Sequence, residues 1–217
     1  MTLPLRANRH KERSDLSTNR LLYAAGELIV EGGFRAMTLA AVGERAGYSR
    51  GLVTARFGSK YGLLQALVER IVGQWSHRNV LPRTKGASGR DGVLIVLEAI
   101  AAQAERDPSA LRVLYALMFE AVGPVAELRG TFVQLHADMR TDFARFVRRG
   151  IRDGSVRAGL SPDGEAATIV GGIRGVGYQW LLDPDGFQPV PALRYLKRIC
   201  EDRLLPEYRG PTGGRRR

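Results

Sequence analysis

Residues 47–51, Gly47-Tyr48-Ser49-Arg50-Gly51, have the G-x-S-x-G spacing of a nucleophile elbow, in which a serine on a tight strand-to-helix turn attacks an acyl carbon and a histidine takes its proton. His77 and His136 are the downstream bases such a serine hydrolase would use. That chemistry needs a buried strand before the serine and a many-stranded sheet around it, whereas LAAVGERA over 39–46 is charged and helical in pattern. The hydrolase is therefore kept as the alternative, and Ser49→Ala separates it from a binding protein: ester hydrolysis lost while binding is kept would mark an enzyme. His10, His77 and His136 stand far apart without H-x-x-H spacing, and Cys200 is the single cysteine, so no metal, no cofactor and no disulfide is expected. Asp183 and Asp185 flank Pro184, which is turn composition rather than an acid pair.

The segment 38–57, TLAAVGERAGYSRGLVTARF, fits a different chemistry, recognition by a helix-turn-helix. Two short helices crossing at a steep angle need a small residue where their backbones approach, and Gly43 supplies it. The turn needs positive φ, which Gly47 adopts at least steric cost. Thr38 and Ser49 are side chains that accept from free N–H groups at a helix start. Val42, Ala46, Val53 and Phe57 close a small core, which leaves Arg50, Leu52, Thr54 and Arg56 outward as short or cationic groups able to approach base edges and phosphates.

Positioning these groups falls to helices. Apolar residues recur at helical spacing along the chain, no stretch alternates as a strand does, and the fold class is all-α. The first helix is expected over about Ser17 to Glu31, stopping at Gly32-Gly33. Two short helices follow, one after Thr38 and ending at Gly47, the other from Arg50 to about Phe57. A fourth begins after Ser59 and runs to about Val80. PRTKGASGRDG over 82–92 reads as a flexible connection. Further helices are expected at about Val93 to Arg106, Pro108 to Val122, Pro124 to Asp153, Pro162 to Leu182 and Val190 to Leu204. This divides the chain into a basic arm over 1–14, a helix-turn-helix domain over 15–75, a helical body over 76–208 and a basic tail over 209–217.

Charge favours a polyanionic partner. The 217 residues carry a net +11, of which the first 60 hold +5 and the last nine +4. Arg6, Arg9, Lys11 and Arg13 of the arm are suited to phosphates or a minor groove, and Lys60 stands at a helix start where a phosphate can be held. No run of 18 uncharged apolar residues spans a membrane, and MTLPLRANRHKERSD is followed by no apolar stretch of export-signal length, so a cytoplasmic protein is expected.

Over about Arg20 to Leu64 the chain resembles the TetR-type family of bacterial transcriptional regulators, through LLYAAGELIVEGGF, the MTL that opens the second helix, the RAGYSRG turn and FGSK leading into YGLL. The resemblance implies a homodimer whose third helices read a palindromic operator in double-stranded DNA, and a body whose ligand shifts the fourth helix. It implies a DNA-binding set of Thr38, Tyr48, Ser49, Arg50, Gly51, Leu52, Thr54, Arg56 and Lys60. The sequence departs from the family pattern at Thr54 and Arg56, where tyrosine and then histidine or tyrosine are common, and at Gly43, where alanine is usual. A repressor is the function this resemblance favours, with an activator or ligand-independent binder of the same shape as its variant.

In the body, Ala167, Gly171 and Gly175 recur every four residues and make a smooth stripe on a helix. With Leu193, Leu196 and Ile199 of the final helix they are the candidate dimer seam, close packing inside one subunit being the competing reading. Trp75, Tyr115, Met118, Phe119, Phe143 and Trp180 are the large side chains able to line a cavity for a small hydrophobic effector.

Overall fold

No proline interrupts the chain between Pro4 and Gly32, and in the structure these residues form one element. A computed structural model describes residues 4–123 and 126–206. The side chains of Arg6, Arg9, Lys11 and Arg13 and the basic tail over 209–217 lie outside the described residues. Helix α1 spans Pro4–Ala36 with a break at Gly33, where φ is 72° and ψ −176°. The expected start at Ser17 is thus corrected: the backbone is helical from Pro4, a residue suited to a first helical turn, and RANRHKER holds nothing that stops a helix.

The remaining helices are α2 (Leu39–Ala46), α3 (Arg50–Phe57), α4 (Lys60–Asn79), α5 (Leu81–Thr84), α6 (Gly89–Arg106), α7 (Pro108–Val122), α8 (Arg129–Asp153), α9 (Pro162–Leu182) and α10 (Pro189–Leu204). No strand occurs among the described residues. A 3-10 turn, Ala126–Leu128, precedes α8, whose start lies five residues beyond the expected Pro124.

Two compact units result, the first built from residues 1–74 and 109–131 and the second from 75–108 and 132–217. Residues 109–131, which carry most of α7, thus belong with the helix-turn-helix unit although the sequence places them inside the expected body. The first unit buries Leu21, Ala25 and Ile29 of α1, Val42 of α2, Val53 of α3, Leu63, Leu64 and Leu67 of α4, and Val113 and Leu117 of α7. Gly26 of α1 faces Val113, a Cβ there lying 3.8 Å from the valine side chain.

In the second unit the expected flexible connection is short and capped. Ser88 accepts from the Asp91 N–H at 3.1 Å and α6 starts four residues earlier than expected. The glycines that looked like linker residues are packing residues: a Cβ on Gly89 would stand 1.9 Å from the Gly150 nitrogen of α8, and one on Gly92 would strike the Phe146 ring at 2.4 Å. Three ion pairs run along α6 and α10, Arg90 to Glu201 at 3.1 Å, Glu98 to Lys197 at 2.7 Å and Glu105 to Arg194 at 2.8 Å. Their order shows the two helices to be antiparallel. Arg203 of α10 reaches Glu165 at the start of α9 at 2.9 Å.

Candidate nucleic-acid interface

The turn between α2 and α3 is built from local causes. Thr38 caps α2 by accepting from the Ala41 N–H at 3.1 Å. Gly47 ends it in the left-handed region, φ 76° and ψ 31°, and the Tyr48 N–H returns to the Gly43 carbonyl at 2.7 Å. A Cβ on Gly43 would lie 2.7 Å from the Tyr48 carbonyl oxygen, so the chain crosses itself where the sequence requires a small residue. Ser49 then caps α3, accepting from the Leu52 N–H at 3.2 Å. The motif is held on α1 by Arg45, which donates to both carboxylate oxygens of Glu31 at 2.9 and 2.7 Å. That hydrogen bonding lowers the Glu31 carboxyl below its ordinary value and raises the Arg45 guanidinium.

Ser49, Arg50, Gly51 and Thr54 are exposed, while Tyr48 and Leu52 are half-buried. Thr54 gives its hydroxyl hydrogen to the Arg50 carbonyl at 3.1 Å, so it offers a partner its methyl group and lone pairs. Arg56 is corrected in one respect: it is not outward but half-buried, its Nη1 donating to the Ser14 carbonyl at 2.6 Å, to the Ser14 hydroxyl at 3.0 Å and to the Thr18 hydroxyl. With Ser14, Leu16, Ser17, Arg20, Tyr48 and Leu52 it lines a cleft of about 500 Å³.

Lys60 departs from its expected role as well. It donates to the Phe34 carbonyl at 2.7 Å and lies over the Phe34 ring, 3.8 Å from its centre. Burial holds its pKa below the ordinary lysine value, the charge of Glu120 opposing this. Ser59 caps α4, accepting from the Gly62 N–H at 3.1 Å. Sequence reasoning missed Ser14 and Thr18 as partners of Arg56 and Phe34 as the seat of Lys60. Arg20, missed too, is exposed on the α1 wall of the cleft.

Ser49 follows a helix, where an elbow serine requires a strand. His136, its second candidate base, is engaged in the other unit, hydrogen-bonded through Nδ1 to the Phe132 carbonyl at 2.7 Å and through Nε2 to Arg174 Nε–H at 2.9 Å. Among the described residues no three His, Cys, Asp or Glu side chains form a metal-binding group, and no helix is long and apolar enough to cross a membrane.

Of the candidate effector residues, Tyr115 and Met118 are buried and Phe119 partly exposed in the first unit, while Phe143 and Trp180 are buried and Trp75 half-buried in the second. The candidate dimer residues also divide. Ala167 and Gly171 are exposed, Gly175 is half-exposed, and a Cβ at either glycine would meet nothing within 4 Å. Ile199 is 49% exposed. Leu193, by contrast, is 4% exposed and belongs to the core of its own unit, and Leu196 covers Gly172 of α9 at 2.8 Å from a Cβ built there. Both side chains thus make contacts within their own unit.

A capped helix-turn-helix carried on a longer first helix, with an exposed second helix, defines a DNA-binding class. Residues 21–67 match the family described as bacterial regulatory proteins of the tetR family, and residues 89–205 match the C-terminal family of BetI-type transcriptional repressors. The chain belongs to the TetR family of DNA-binding transcriptional regulators. No curated protein sequence matches it. Among solved structures it is similar to a transcriptional regulator from Saccharomonospora viridis in complex with choline, with a TM-score of 0.74 and 19% identity over 88% of this chain and 98% of that one. SmeT, the repressor of the Stenotrophomonas maltophilia multidrug efflux pump SmeDEF, gives 0.71 and 21% over 88% and 91%. FadR from Bacillus subtilis, in complex with stearoyl-CoA, gives 0.73 and 18% over 85% and 98%.

Proposed function

We propose that this regulator is a homodimeric repressor that reads a palindromic operator with α3 and leaves it when the body takes up a small, largely apolar effector. The observation that carries the reading is the exposed edge of α3, where Ser49, Arg50, Gly51 and Thr54 stand clear on a helix whose caps and core are already complete. A helix of this kind enters the major groove without rearrangement, Arg50 being the group suited to guanine and the Thr54 methyl to thymine. Tyr48, Leu52 and the cap Thr38 stand beside it.

The dimer is supported by the open stripe of Ala167, Gly171 and Gly175 together with exposed Tyr178, Leu182, Tyr195 and Ile199 on α9 and α10. Large apolar side chains at the surface next to glycines that meet nothing mark a face that a second copy would cover. The effector is supported by the indole N–H of Trp75, a buried donor without an acceptor, and by the ligands of similar regulators, among them choline and stearoyl-CoA. A coupling of about 1–3 kcal/mol between effector and operator would weaken binding roughly 5- to 150-fold.

Selection of bound duplexes from a random pool tests the reading. The expected winner is a palindrome whose half-sites are centred about 34–36 Å or a multiple apart, bound with steep salt dependence. A monomer indifferent to every duplex at low salt would overturn it.

A further inference from the structure

We propose that Arg56 is a positioning residue for DNA reading: it locks the last turn of α3 to α1 at Ser14 and Thr18, fixing the angle at which Arg50 and Thr54 meet a duplex, while Arg20 across the cleft takes the phosphate. The inference rests on the DNA-reading role proposed above.

Arg56 meets a crowded set of α1 oxygens, its Nη1 shared among the Ser14 carbonyl, the Ser14 hydroxyl and the Thr18 hydroxyl. Thr18 gives its O–H to the Ser14 carbonyl at 2.9 Å, which leaves the lone pairs of its Oγ1 to accept from the guanidinium. Ser17, which is buried, gives its O–H to the same carbonyl at 2.9 Å. These oxygens all stand on neighbouring turns of α1, and the Ser14 carbonyl is shared between Arg56 and the two hydroxyls.

The lock matters because the other ties of α3 are local, the tight crossing at Gly43 holding its start against α2. Helix α3 has eight residues, and Val53 is the one side chain buried on it. Val53 and the crossing at Gly43 fix one end of the helix, and a charge-assisted bond from its last turn, spanning 42 positions of sequence, fixes a second point. Two points define the direction of a rod. Arg56 thereby has its Nη1 engaged by protein, while Arg20 on the same cleft is exposed.

The test uses the full chain and the selected duplex, with affinity measured at several salt concentrations well below the unfolding midpoint of each variant. Arg56→Ala is expected to weaken the selected duplex on the order of tenfold while leaving nonspecific binding and the salt slope unchanged. Arg56→Lys restores part of the loss. Ser14→Ala combined with Thr18→Val reproduces much of it and adds little on top of Arg56→Ala. Arg20→Ala lowers the salt slope by about 0.9, the signature of one phosphate contact.

A merely stabilising role would lower the unfolding midpoint and leave the ratio of specific to nonspecific affinity where it was. That result would overturn the proposal. So would a slope loss in Arg56→Ala, or relaxed preference at a single base, since either makes Arg56 a direct contact. A wild type that binds no duplex overturns the DNA-reading conclusion and this inference with it, whereas the Arg56 outcomes, read on a wild type that binds, bear on this inference alone.

Discussion

Lys60 is fastened to Phe34 twice, by a 2.7 Å hydrogen bond to its carbonyl and by a cation seated 3.8 Å from the centre of its ring. The carbonyl lies just after the break at Gly33, where the end of α1 leaves a backbone acceptor without its helical donor. A lysine at the first position of α4 thus closes the first helix rather than waiting for a phosphate.

Lys60→Met should accordingly keep the stem against the ring and lose the charge, at a cost of about 1–2 kcal/mol to the first unit. The salt slope for DNA should be unchanged. Urea unfolding followed by operator titration checks both parts. A variant of wild-type stability whose slope has fallen by about 0.9 would return Lys60 to the phosphate backbone.

The helix-turn-helix was legible in the sequence because each of its parts has a cause within a few residues. Thr38 and Ser49 cap helices that begin at the next position, and Gly47 must be left-handed to turn the chain there. The partners of Arg56 and Lys60 were not legible for the opposite reason. They lie 42 and 26 positions away, and a long flexible cation of the same spacing suits either DNA or a carbonyl on a neighbouring helix. The body repeats the lesson. Leu193 and Ile199 both recur at helical spacing on α10, but which of them is buried depends on how the helix packs in its unit, which no local pattern states. Gly89 and Gly92 have linker composition, and only α8, through the Gly150 backbone and the Phe146 ring, gives them a reason.

Gly89→Ala follows from that last point. Its Cβ would stand 1.9 Å from one backbone nitrogen and 2.3 Å from the Cα of Gly150, neither of which can swing aside. Helix propensity favours alanine by about 1 kcal/mol, and separating two backbones costs more, so a net loss of about 1–2 kcal/mol is expected. Thermal unfolding checks the sign: a stabilised variant would show that α6 and α8 are not in contact here.

His136 should make stability depend on pH. Burial, then the charge of Arg174 and, more weakly, of Arg140, depress its pKa, and its hydrogen bond to the Phe132 carbonyl opposes them. The neutral ring fits the geometry, since Nδ1–H donates to that carbonyl and Nε2 accepts from Arg174. With the folded value below the unfolded value of about 6.5, the unfolded chain binds more protons between the two, so this contribution is present above pH 6.5 and is lost as pH falls toward the folded value. His136→Gln should flatten the stability profile in that window. An identical slope in both proteins would assign the dependence to other groups.

Ile199 and Leu193 give opposite outcomes although both are apolar and six residues apart on α10. Ile199 is 49% exposed beside exposed Tyr195, so Ile199→Asp costs its own unit little, and a charge placed in an apolar face between two copies has no partner. Leu193 is 4% exposed, and Leu193→Ala leaves a cavity costing about 2–4 kcal/mol. Sedimentation velocity should therefore find Ile199→Asp folded and monomeric, and calorimetry should find Leu193→Ala destabilised. Dissociation also predicts the loss of operator affinity at concentrations where a single half-site is too weak to hold the protein, because the second half-site then no longer acts at a fixed spacing. An Ile199→Asp protein that stays dimeric would place the contact between copies on a different face from α9 and α10.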